Sequence, residues 1–152
     1  MISAWRIVKR KHAKSAFTGD GARLFGGRWN TPGIAVVYTA ESQALAALEM
    51  VAHLESAELL EHYVAIEVRG DVPFERLEAA ALPRRWQSYP APAKLAAFGD
   101  RWAAECRSVA LRVPSVLIPE EHNFLLNPAH PDFARLSTGK PVPFRFDRRL
   151  AR

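Results

Sequence analysis

The chain has 152 residues, of which 49% are hydrophobic and 24% charged, the proportions of one ordinary globular domain with a substantial core. No run approaches the ~18 consecutive apolar residues of a membrane helix; Met1-Ile2-Ser3-Ala4-Trp5-Arg6 does not build a signal peptide, and the single cysteine, Cys106, excludes an internal disulfide, so a cytosolic protein is expected. The formal charge of +5 admits nucleic acid, an acidic protein or a phosphate-rich ligand, but much of the excess lies at the ends (Arg6, Lys9, Arg10, Lys11, Lys14; Arg145, Arg148, Arg149, Arg152), where solvated charge is the commoner explanation.

Ala4–Val8 alternates as a first strand, with Trp5 and Ile7 on one face and Arg6 on the other. The connection from Lys9 to Asn30 is polar and glycine-bearing; at that length it is expected to be functional or partly helical. Gly19-Asp20-Gly21 lacks the third glycine and the βαβ setting of a dinucleotide fingerprint, and Thr138-Gly139-Lys140 lacks the upstream glycine of a P-loop. The connection ends in Gly26-Gly27-Arg28-Trp29-Asn30, then Thr31-Pro32-Gly33, a turn signal feeding an apolar run. Glycine permits close approach of backbone to a ligand, arginine offers a planar fork for phosphate or carboxylate, and tryptophan offers a flat face that stacks or packs. An anion-binding loop entering a core strand is the organising feature of the chain.

Ile34–Thr39 reads as the second strand, with Ile34, Val36 and Tyr38 on one face. Ser42–Ala57 is a helix, rich in Ala, Leu, Glu and Met, whose inward arc carries Ala44, Leu45, Leu48, Val51 and Ala52. Glu49 falls on the edge of that arc, where a carboxylate needs a partner or a job. His62–Arg69 is a third strand with Val64, Ile66 and Val68 inward. Phe74–Leu82 reads as a short helix and Pro83–Pro92, with Trp86 and Tyr89, as an irregular excursion. Ala93–Arg107 is a helix interrupted by Gly99, with Leu95, Phe98, Trp102 and Cys106 in the core, Cys106 as a buried structural thiol. Ser108–Ile118 is strand-like and broken by Pro114, with Ser115 just past the break. Pro119–Pro128 runs to an Asn-Pro turn, His130–Leu136 to a turn or short helix, and Pro143–Asp147 to an edge strand.

The polar residues at unusual places are Arg28, Tyr38, Glu49 and Ser115, with Arg6, Trp29 and Asn127 behind them. Each has a plain structural reading as well: a loop cap, a core tyrosine, an ion pair across the helix, a hydroxyl satisfying backbone near Pro114. The five histidines show no HExxH pattern and no cysteine partners, so no metal is expected. There is no Gly-x-Ser-x-Gly elbow for a serine nucleophile.

Taken together, Gly26-Gly27-Arg28-Trp29-Asn30, Val37-Tyr38, Ala46-Ala47-Leu48-Glu49, Pro114-Ser115 and Asn123-Phe124-Leu125-Leu126-Asn127-Pro128 resemble the RES-domain family, in order and over nearly the whole chain, 1–152. The resemblance implies a single α+β domain of ADP-ribosyltransferase-like fold, a mixed or antiparallel sheet core with flanking helices. It further implies the toxin of a type II toxin–antitoxin pair, with an Xre-like helix-turn-helix antitoxin as partner, and DNA reached only through that antitoxin. Its activity would be depletion of NAD+ by cleaving the nicotinamide–ribose bond, foremost by phosphorolysis with inorganic phosphate as co-substrate. Transfer to a protein, or to water, is the alternative acceptor. Carried over by motif, the functional set is Arg28, Tyr38, Glu49 and Ser115, with Gly27, Arg6, Trp29 and Asn127 as further ligand contacts.

The residue types fit that chemistry. Glycosidic cleavage develops positive charge on the ribose, which a carboxylate at Glu49 would stabilise. Arg28 would hold phosphate, Tyr38 would stack on nicotinamide, and Ser115 would orient ribose or phosphate. The rival classes are a basic nucleic-acid-binding module, which needs stacking aromatics interleaved with Lys and Arg on a sheet face, and a catalytically inactive relative.

Overall fold

Strand β1 (Ile2–Lys9) runs beyond both predicted ends, and its alternation sets Trp5 and Ile7 on one sheet face and Arg6 and Val8 on the other. The computed structural model describes residues 1–151; Arg152, counted above with the basic C-terminal end, lies outside the described residues. The long connection that follows is partly helical, as its length requires, with a 3-10 turn at Arg10–Ser15 and helix α1 at Asp20–Phe25.

Only the second half of the next apolar run pairs, as β2 (Val37–Ala40). The first half stays in the loop because the buried Asn30 amide donates to the carbonyls of Ala22, Thr31 and Ile34 and curls the chain back on α1. Helix α2 (Gln43–His53) is capped by Ser42, whose Oγ accepts from the Leu45 N–H at 3.0 Å. It ends four residues earlier than periodicity predicts. Leu54 turns extended and a separate short helix, α3 (Ser56–Leu59), drops Leu59 into the core against Tyr63. The inward face of α2 is also rotated from the predicted one: Leu45 and Ala46 are buried, while Ala44, Leu48 and Ala52 face solvent.

Strand β3 (Tyr63–Gly70) is buried on both faces over most of its length. The predicted helix at Phe74–Leu82 is instead strand β4 (Phe74–Arg76) followed by one 3-10 turn at Ala79–Ala81. Pairing with a buried neighbour overrides the helical preference of the alanine run. Helix α4 (Ala93–Ala104) passes through Gly99 without interruption. It stops before Cys106, which takes φ of 52° in the terminal reversal and is exposed, so the thiol expected in the core is at the surface. Strands β5 (Ala110–Pro114) and β6 (His122–Leu126) follow; the sequence marks β6 only as part of a motif. After a 3-10 turn at Pro131–Arg135 come the short β7 (Ser137–Thr138) and β8 (Val142–Phe144). The predicted final strand is thus shifted towards the N-terminus, and Phe146 leaves the sheet to meet the Tyr63 ring edge-on at 5.2 Å.

The strand order is β4-β5-β6-β2-β1-β3-β7, with β8 also on β3, and every pair is antiparallel except β4–β5. This is the α+β fold, a mixed sheet with flanking helices, that the sequence leads one to expect. Two apolar clusters share one sheet face. Helix α2 covers Ile7, Ala40, Tyr63 and Ala65, while α4 and Trp86 cover Leu111, Val113 and Leu125. Between them a seam runs over β2 and β6. At the same place β1 and β2 are held by one registered pair, Trp5 with Ala40, and the sheet is least continuous there. Among the described residues no helix is long and apolar enough to cross a membrane.

Candidate active site

The loop at Gly26–Asn30 is a closed turn: the Gly27 N–H donates to the Asn30 carbonyl at 2.9 Å, leaving Arg28 and Trp29 at its tip. Four contacts fix it. The Trp29 ring is buried among Leu95 and Trp102. Its carbonyl lies where a Cβ at position 99 would stand, so Gly99 is what lets α4 come this close. Asp100 accepts from the Thr31 N–H (2.9 Å) and hydroxyl (2.7 Å). On the other side the Tyr38 hydroxyl donates to Asn30 Oδ1 at 2.5 Å and accepts from the Trp29 N–H at 3.1 Å. A side chain at Gly27 would collide with that hydroxyl. Burial pushes the Tyr38 phenol well above its ordinary pKa, so it remains a donor at physiological pH.

Arg28 leaves this turn half-buried. Its Nη1 donates to the carbonyls of Trp86 (3.0 Å) and Ser88 (3.2 Å), and it makes no ion pair among the described residues. Burial lowers its pKa, opposed by the charge of Glu49 and by Tyr38 and Tyr89. The segment 86–88 is thereby drawn across the seam: Gln87 Nε2 reaches the Val116 carbonyl at 3.3 Å on the far side.

Glu49 points from α2 into the same seam. One carboxylate oxygen accepts from Ser115 Oγ at 3.2 Å and the other from Asn123 Nδ2 at 3.0 Å. Burial pushes the carboxyl above its usual range; the bonds from Asn123 and Ser115 and the charge of Arg28 pull it back. Ser115 is fully buried, and its Oγ also accepts from the N–H groups of Leu117 and Ile118. The irregular backbone after Pro114 therefore serves to aim one hydroxyl at Glu49. Where the sequence leads one to expect a hydroxyl that orients ribose or phosphate, Ser115 Oγ is engaged with Glu49 and two backbone N–H groups.

Arg28, Tyr38, Glu49 and Ser115 thus come together at one seam, with Gly27 beside Tyr38. The other expected ligand contacts do not. Trp29 is 3% exposed and offers no face to a ligand; it packs the loop onto α4. Asn127 is buried at the opposite end of β6, with Nδ2 on the Ala103 carbonyl and Oδ1 on the Ala129 N–H, so it ties a turn together. Arg6 lies on the other sheet face at the opening between β1 and β2, donating to the carbonyls of Ala16 (2.6 Å) and Tyr38 (3.0 Å). It reaches the site only through the Tyr38 backbone. The residue that sequence reasoning missed is Asn123. A signal existed: an amide that enters an apolar strand must find a partner, and Asn123 begins the quoted Asn-Phe-Leu-Leu-Asn segment.

Comparison with known proteins gives the family and the fold. The family model for the RES domain matches residues 3–147. A Sphingobium sp. protein named "Prs ADP-ribosylating toxin" is 41% identical, covering 99% of this chain and 97% of its own. A Yersinia enterocolitica protein named "Toxin Res" is 40% identical, covering 96% and 97%. The fold is also similar to a chain in the crystal structure of the M. tuberculosis MbcT–MbcA toxin–antitoxin complex. That match has a TM-score of 0.75 at 18% identity and covers 95% of this chain and 84% of the other.

Proposed function

This chain belongs to the RES-domain family, and from that premise we propose that it is the toxin of a toxin–antitoxin pair and cleaves the nicotinamide–ribose bond of NAD+. The observation that carries the proposal is Glu49: a carboxylate in a half-buried seam, each oxygen held by a donor from a different segment, with a guanidinium close enough to feel its charge. Such a group is fixed before substrate arrives. As the glycosidic bond breaks and positive charge grows on the ribose, Glu49 stabilises it without having to reorganise. Nicotinamide leaves with the bonding electron pair, and the electrophilic ribose carbon takes the acceptor. Among the described residues Arg28 Nε and Nη2 make no hydrogen bond, and they take the phosphate oxygens, either the pyrophosphate of NAD+ or an incoming phosphate. Tyr38 shapes the turn that presents Arg28.

Two acceptors satisfy this chemistry. Inorganic phosphate gives ADP-ribose 1″-phosphate and is the reading that the family resemblance favours. A protein acceptor is the second reading, favoured by the 41%-identical relative named for ADP-ribosylation. A helix-turn-helix antitoxin is the expected partner, and the toxin–antitoxin complex of the similar fold supports a protein partner. The cytoplasm, where NAD+ is abundant, is the expected site of action. A nucleic-acid-binding role is less favoured because Trp29 and Trp102 are buried and Phe98 packs against their cluster, while the strongly exposed aromatics, Phe25 and Tyr89, lie at the end of α1 and in a loop and not on a sheet face.

The test is release of nicotinamide from NAD+ by purified protein, with and without phosphate, followed by product identification. The parent releases nicotinamide; a phosphate-dependent ADP-ribose 1″-phosphate product assigns phosphorolysis, and label on a protein assigns transfer. No nicotinamide under any acceptor condition defeats the proposal.

A further inference from the structure

Behind the sheet from the seam, the 3-10 turn at Arg10–Ser15 and strand β8 enclose a second concavity of about 600 Å³, within the ~300–1,000 Å³ of ligand sites. Its cations are Arg10, Lys11 and Lys14; its apolar walls include Val64, Pro141 and Pro143. Several basic residues elsewhere are paired at close range, Lys9 with Glu58 and Glu61, Arg69 with Glu67 and Arg23 with Asp20, while others stand singly; this cleft gathers three cations around one concavity. Arg10, Lys11 and Lys14 make no ion pair among the described residues, and Lys140, which precedes Pro141, makes none either. Like charges gathered around a concave apolar floor repel one another until an anion arrives, so the arrangement costs stability in the free protein.

We propose that this cleft is a docking site for an acidic segment of a partner protein, one whose carboxylates alternate with apolar side chains. Charge complementarity selects the carboxylates, and the proline and valine walls select the apolar groups between them. Nucleic acid fits less well, because no aromatic ring lines the cleft for bases to stack on. Strand addition is also excluded at its wall: Pro141 and Pro143 have no N–H to donate, so recognition runs through side chains. The site is independent of NAD+ chemistry, since the cleft floor belongs to the cluster of Val8, Val64 and Ile66 on the face opposite α2 and Glu49. A partner bound there leaves the seam open.

The experiment uses the full chain and a fluorescein-labelled octapeptide of alternating Glu and Leu, read by anisotropy at low and moderate salt. Its comparators are a Glu/Ser octapeptide and a single-stranded oligonucleotide of equal charge. The variant R10E/K11E/K14E is set against R84E/K94E/R101E, which makes the same charge change at three exposed positions elsewhere. The expected result is on the order of tenfold greater loss of Glu/Leu binding in the cleft variant than in the control, with unchanged circular dichroism and unchanged nicotinamide release. Equal loss in both variants, equal binding of the Glu/Ser peptide, tighter binding of the oligonucleotide, or no binding by the parent chain each overturns the proposal.

Discussion

The two sides of the seam are built on opposite principles. On the α2 side, Glu49 has both oxygens occupied, by Ser115 and by Asn123, and Ser115 is itself locked by two backbone N–H groups. On the loop side, Arg28 uses one nitrogen for two carbonyls, and the rest of its fork makes no hydrogen bond among the described residues. A group that must stabilise charge at the instant of bond cleavage benefits from a rigid setting, whereas a group that must capture a mobile anion needs donors in reserve. Under the proposed function, the difference would separate a preset catalytic group from a waiting binding group, and mutation at the two should fail in different ways.

Glu49→Gln breaks the preset side. Gln keeps the size and loses the charge, so nicotinamide release should fall by on the order of 10³-fold, in kcat. The fold should persist, because burial disfavours the charged form that the substitution removes. Melting within about 3 °C of the parent, equivalent to under ~1 kcal/mol for a chain of this size, is expected. Turnover within a few-fold of the parent would remove Glu49 from the chemistry.

Arg28→Lys tests the waiting side. An ammonium keeps the charge but cannot grip two carbonyls and a phosphate together. A loss of about 10²-fold in kcat/KM, carried mostly by KM, is expected from steady-state kinetics. If kcat fell and KM held, Arg28 would belong with the preset group and the contrast between the two sides would disappear.

A smaller effect sharpens the role of the two donors. The Glu49 carboxyl lies above its usual range through burial, with Asn123 and then Ser115 pulling it down. Activity that needs the carboxylate therefore rises with pH through that raised value. Deleting a donor removes a downward pull, so Asn123→Ala and Ser115→Ala should each move the acid limb to higher pH, with roughly tenfold lower turnover below it and recovery above. Stability has the matching sign: the folded state holds this proton more tightly than the unfolded chain, so the contribution of Glu49 is greatest below the unfolded value and declines as pH rises through the folded one. An unmoved acid limb in both variants would mean that the donors only fill space.

How much of this was legible in the sequence depends on what each residue type can reveal. Two glycines before an arginine announce a tight turn, and the Gly26–Asn30 turn is there. The flat face of a tryptophan reads the same whether it stacks on a ligand or packs on a helix, and the glycine that decides between them, Gly99, lies seventy residues away. Glu49 stood out because a carboxylate on an apolar arc is costly, although the arc itself was drawn one step round the helix from the true buried face at Leu45 and Ala46. Asn123 did not stand out, since β6 was unrecognised as a strand and an asparagine in an unassigned segment raises no alarm. The alanines after Phe74 argued for a helix on local preference alone, and the pairing of β4 with β5 that outweighs it is a long-range fact.

The smallest expected effect concerns Tyr38, whose residue type suggests stacking on nicotinamide. Its hydroxyl donates to Asn30 Oδ1 and accepts from the Trp29 N–H, so in this structure the hydroxyl is engaged in the turn. Tyr38→Phe leaves the buried Trp29 N–H without its acceptor and frees Asn30, a cost of about 1–2 kcal/mol. The loss should register in the melting temperature, while turnover falls only about threefold through looser presentation of Arg28. Tyr38→Ala separates ring from hydroxyl, since the ring packs with the cluster around Trp29 and Leu125. If Tyr38→Phe instead cut turnover as deeply as Glu49→Gln with an unchanged melting point, the hydroxyl would act on the substrate and the turn's hydrogen bonds would have to be replaced when NAD+ binds.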